Sequence, residues 1–97
     1  MIDISQIESI LDSAVNNKYA VELRIEDKNT SLDITINTRL TNVNFRTFNN
    51  NNNVTIEAPG LRFMFQYKNC IMGTQSSMHN KFYFETDEVI VTVVVKM

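Results

Sequence analysis

Ninety-seven residues with 43% hydrophobic content fit one domain with one modest core. A net charge of −2 gives no overall pull toward nucleic acid or a membrane surface. The single cysteine, Cys70, excludes an internal disulfide, and no apolar run approaches the ~20 residues of a membrane-spanning helix. The charge is unevenly spread. Residues 1–33 are acidic, residues 34–84 hold Arg39, Arg46, Arg62, Lys68 and Lys81 against Glu57 alone, and the C-terminal stretch is acidic again. The N-terminus lacks a basic region followed by an apolar core of about 7–15 residues, so a soluble, cytoplasmic protein is expected.

Residues 3–17 carry the one helical pattern. Ile4, Ile7, Leu11, Ala14 and Val15 recur at the 3.6-residue period, and Asp3 with Gln6, or Ser5 with Glu8, supplies a capping-box start. Asn16, Asn17 and Lys18 suit its end, with an asparagine in the left-handed cap position. From Tyr19 the period becomes 2. Tyr19, Val21, Leu23 and Ile25 alternate with polar residues, as do Leu32, Ile34 and Ile36 after the turn Asp27 to Thr30, which predicts a hairpin with one wet face. Leu40, Val43 and Phe45 extend a weaker strand toward Phe48, with a phase slip.

The run Asn49 to Asn53 is expected to form a loop, because asparagine hydrogen-bonds its own backbone and favours turns. Val54–Ala58 and Leu61–Lys68 flank Pro59-Gly60 and predict a second hairpin. Cys70-Ile71-Met72 is expected to finish that strand, and the rest of Asn69 to Asn80 to be a long connection. Lys81–Glu85 and Val89–Lys96 make the last hairpin. Val89, Val91, Val93 and Val95 line one face of its second strand, and Ile90, Thr92 and Val94 line the other. A strand apolar on both faces belongs in the middle of a sheet and asks for cover on both sides. The expected architecture is a single α+β domain over residues 1–97, an N-terminal amphipathic helix packed on a mostly antiparallel sheet of about six or seven strands. Cover for the second face is expected from another sheet layer or another copy, with Ile90, Thr92 and Val94 as a candidate oligomer interface.

Chemistry is sparse. Cys70 and His79 are too few for a four-ligand zinc site, and a Cys–His pair around a loop competes with a buried thiol and a solvated histidine. Cys70, Met72, Met78 and His79 are soft ligands at a spacing that matches no copper motif. The acids at Glu26-Asp27 and Asp87-Glu88 sit in turns, and with two glycines a phosphate-cradling loop is hard to build. No catalytic residue, metal ligand or cofactor site is assigned, and the chain is expected not to be an enzyme.

Arg39, Arg46, Arg62 and Lys68 lie among Phe45, Phe48, Phe63, Phe65 and Tyr67. Bases stacked on sheet aromatics beside basic residues is a common way to hold single strands. The alternation of Leu61–Lys68 puts its aromatics and its basic residues on opposite faces, leaving Phe48 and Tyr83 as the candidates for exposed rings. The small, asparagine-rich chain has the general look of a phage or mobile-element accessory protein. The expected function is protein binding, as an inhibitor or adaptor of a host protein, through contacts drawn from Arg39, Arg46, Phe48, Arg62 and Lys68. The alternatives are a homo-oligomeric structural or assembly subunit, and single-stranded nucleic-acid binding through the same basic residues.

Overall fold

A computed structural model describes residues 4–97, so Asp3 and its capping role lie outside the described residues. The helix α1 (Ile4–Asn17) is followed by eight antiparallel strands: β1 (Ala20–Asp27), β2 (Asp33–Arg39), β3 (Asn42–Phe48), β4 (Asn51–Ala58), β5 (Leu61–Tyr67), β6 (Asn69–Gln75), β7 (His79–Glu85) and β8 (Val89–Lys96). They form two sheets, a five-stranded one in the order β2-β1-β8-β7-β6 and a three-stranded one in the order β3-β4-β5. Every strand neighbours the next in sequence except where the chain changes layer, after β2 and after β5. The pairing of β1 with β8 then joins the two ends of the meander.

The expected α+β class is the one observed, with more strands than the six or seven expected. Two readings of the middle segment are corrected. The asparagine run is not a loop as a whole: only Asn49 and Asn50 turn, both at positive φ (51° and 63°), while Asn51–Asn53 begin β4. Two consecutive positive-φ residues define the type I′ hairpin turn, which matches strand twist and which asparagine tolerates. Asn69–Asn80 is likewise not a long connection. Cys70, Ile71 and Met72 belong to β6, which one residue, Lys68, separates from β5, and which lies in the other sheet. The exposure of Thr74 and Gln75 on an edge strand gave that segment the polarity of a loop.

The helix ends differently from its sequence pattern. Lys18, not an asparagine, takes the left-handed conformation at φ 55°, and the Tyr19 N–H donates to the Ala14 carbonyl at 3.1 Å. That bond closes a Schellman-type cap. Pro59-Gly60, with Gly60 at φ 72°, forms the two-residue turn between β4 and β5.

The core lies between the layers. Val91, Val93 and Val95 of β8, Val21 and Leu23 of β1, and Phe82 and Phe84 of β7 face Ile7, Leu11 and Ala14 of the helix and Val54 and Ile56 of β4. Phe84 is the junction of the two sheets. Its ring meets Phe65 at 5.5 Å, Tyr67 at 5.2 Å and Phe45 at 6.1 Å between centroids. As the doubly apolar pattern requires, β8 is the central strand. Helix and second sheet cover the same face of it. Ile90, Thr92 and Val94 face outward in register with Glu85, Tyr83 and Lys81, and no described element covers them. Ile90 and Val94 remain half-exposed, while Thr92 is screened to 5% exposure, with Arg24 and Tyr83 as its cross-strand neighbours. Among the described residues no helix is long and apolar enough to cross a membrane.

Candidate functional site

Alternation fixes what each sheet shows to solvent. In the three-stranded sheet Val43, Phe45, Val54, Ile56, Phe63 and Phe65 turn inward. The registers Asn42↔Glu57↔Arg62, Asn44↔Thr55↔Met64 and Arg46↔Asn53↔Gln66 then compose the outer face, with Phe48↔Asn51 closing the β3–β4 turn end. Phe48 joins this face because it is three residues from the inward Phe45, out of phase with it. Phe48 is 69% exposed and Met64 is 67% exposed.

The face is a shallow hollow of about 340 Å³, lined by Arg46, Phe48, Arg62 and Met64 together with Asn42, Asn44, Asn53, Thr55 and Glu57. Its charges are not equivalent. Arg62 Nε lies 4.0 Å from Glu57 Oε1, and Asn42 reaches the same carboxylate oxygen at 3.5 Å. Arg46 has no ion pair or hydrogen bond among the described residues. Beside it stand side-chain amides, of which Gln66 donates to Asn51 Oδ1 at 3.1 Å. The arrangement is an open guanidinium flanked by an aromatic ring, a thioether and rows of amides.

The expected contact set therefore divides. Arg46, Phe48 and Arg62 converge in one hollow. Arg39 does not join them: it ends β2 in the other sheet, where its Nη1 donates to the Lys18 carbonyl at 2.6 Å and serves the helix terminus. Lys68 sits in the β5–β6 link, 3.2 Å from Asp87. Met64 and the amides of β3 and β4 were missed, because they meet the arginines only through strand register. The second exposed-ring candidate, Tyr83, lies on the outer face of the five-stranded sheet, with Lys81 Nζ 5.5 Å from its ring centroid.

The remaining chemical candidates are dispersed. Cys70 faces inward on β6 opposite Phe84, whereas His79 begins β7 on the outer face, roughly 17 Å along the strand at ~3.4 Å per residue. Burial pushes the Cys70 thiol up to about 12, so it stays protonated and weakly nucleophilic at neutral pH. Met72 faces the core and Met78 projects from the β6–β7 turn. Among the described residues no three of His, Cys, Asp and Glu cluster as metal ligands. Comparison with protein-family models, with curated proteins and with solved structures finds no match to this chain.

Proposed function

We propose that this chain is a protein-binding module whose contact surface is the outer face of the three-stranded sheet. The observation that carries the reading is the exposed Phe48 and Met64 standing in one hollow beside Arg46, which has no ion pair or hydrogen bond among the described residues. Arginine, aromatic residues and methionine are the types enriched at the centres of protein interfaces, and a few such anchors carry most of the binding energy. An arginine without an internal partner is available to a carboxylate, and its planar fork suits bidentate pairing. The partner that fits presents an acidic side chain next to an apolar one. The amide rows around the anchors match a polar rim.

The test is affinity capture of the tagged protein from its native cells after nuclease treatment, comparing wild type with Phe48→Ala, Arg46→Glu and, as a control on the other sheet, Lys96→Glu. A defined partner retained by wild type and Lys96→Glu and lost by the other two is the expected result. Partners indifferent to Phe48 and Arg46 overturn the assignment. A second reading draws on the same exposed ring and arginine: single-stranded nucleic acid, with a base stacked on Phe48 and a phosphate at Arg46. It requires salt-dependent binding of a labelled oligonucleotide that Arg46→Glu abolishes.

A further inference from the structure

The five-stranded sheet has two edges, and they are not alike. The β6 edge is broken by a register shift between Met72 and Thr74, an irregularity of the kind that discourages pairing with another chain. The β2 edge pairs regularly with β1 over seven consecutive positions and contains neither proline nor bulge. Its backbone polarity can be assigned. The Asp27 N–H donates to the Leu32 carbonyl at 3.1 Å, so Leu32, Ile34, Ile36 and Thr38 aim their backbone groups at β1. Asp33, Thr35, Asn37 and Arg39 aim theirs outward, and β2 has no strand partner other than β1 among the described residues.

The same strand leaves apolar surface uncovered on the core-facing side. Ile34 is in register with Ile25 and Val91, yet it is 43% exposed, and Leu32 beyond it is 57% exposed. The helix and the second sheet leave this margin of the five-stranded sheet bare.

We propose that β2 is the docking edge for a second copy of this chain, pairing antiparallel with its own symmetry mate about a two-fold axis at Ile36. This register makes Thr35↔Asn37 and Asp33↔Arg39 the hydrogen-bonded pairs, so all the outward backbone groups of the strand meet one another. It places Ile36 opposite Ile36 in the close, non-hydrogen-bonded position on the apolar face, flanked by both copies of Ile34. On the opposite face each Asp33 carboxylate stands against an Arg39 guanidinium, twice per dimer. Both groups have capacity left: Asp33 contacts Arg24 through one oxygen at 3.4 Å, and Arg39 spends one nitrogen on the Lys18 carbonyl. Sliding the strands by one hydrogen-bonding step sets Asp33 against Asn37, or Arg39 against Thr35, and forfeits the charge match. The interface is isologous and joins two five-stranded sheets into one of ten strands. It does not involve the arginine hollow, so it stands or falls separately from the proposed partner face.

Sedimentation equilibrium and light scattering over a concentration series test the proposal. Wild type should reach twice its 11.2 kDa chain mass at high concentration. Thr35→Pro removes an outward N–H that β1 does not use, a tolerated change on an edge strand, and should give a folded monomer. Asp33→Arg and Arg39→Asp each set like charges opposite one another and should weaken dimerisation roughly tenfold. The double exchange Asp33→Arg with Arg39→Asp should restore it, which no loss of folding can mimic. Wild type that remains at 11.2 kDa up to its solubility limit overturns the proposal, as does a dimer that survives Thr35→Pro.

Discussion

Lys18 occupies a position that glycine usually fills. Its φ of 55° is left-handed, a conformation that costs a side-chain-bearing residue ~1–2 kcal/mol and glycine almost nothing. The cap persists because the Tyr19 N–H and the Arg39 guanidinium both satisfy terminal groups of the helix there. Lys18→Gly should therefore stabilise the protein by about 1 kcal/mol, read as a higher urea midpoint with unchanged slope. A midpoint that falls instead would mean that the lysine stem packs against something worth more than the strain. Gly73 is a residue constrained by space rather than by φ. A Cβ there would lie 2.7 Å from Cε2 of Tyr83, whose ring covers the glycine. Gly73→Ala should destabilise by about 1–3 kcal/mol, the usual penalty for overpacking. In a Tyr83→Ala background the same change should cost far less, so a double-mutant cycle must show coupling. Additive effects would refute the ring-on-glycine account.

At the scale of elements, the strands were legible where alternation met burial. β1, β5 and β8 declare themselves because a misplaced charge on the buried face would be costly, and β8 declares its central place because neither face carries a charge before Lys96. A second sheet layer was among the expectations, but which strands form it was hidden. The chain changes layer through Leu40-Thr41 and through Lys68, links too short to differ in composition from a hairpin turn. The arginine hollow was half legible. Phe48 stood out by its phase, but the company of Met64 and the asparagines depends on three-strand register, which a single chain does not print. What binds the sheets is the aromatic cluster around Phe84, which touches rings from β3 and β5. Phe84→Ala should cost about 3–5 kcal/mol, the range for deleting a buried phenyl ring. Equilibrium unfolding checks it, and a loss under 1 kcal/mol would show that the sheets hold together without this junction.

For the molecule as a whole, the closing contact is between the two ends of the meander. The β1–β2 turn is tied to the β7–β8 turn by Lys28, whose backbone N–H donates to the Glu88 carbonyl at 2.8 Å. Its Nζ reaches Glu85 Oε2 and the Thr86 carbonyl, both at 2.7 Å. The hydrogen bond from Lys28, then that from Asn69, then the lysine charge hold the Glu85 carboxyl below its usual range. A carboxyl whose folded pKa is depressed stabilises the fold above its unfolded value, about 4.3, and loses that contribution as pH falls through the folded value. Lys28→Met removes the first and third of these causes and leaves the backbone bond. The variant should be less stable than wild type at pH 7, and the difference in urea midpoint should narrow as pH drops below about 4. Salt should narrow it at neutral pH as well, since the pair is partly exposed. A midpoint difference that holds constant from pH 7 to the acid limb would show that Lys28 joins the turns by packing its stem, with no electrostatic share.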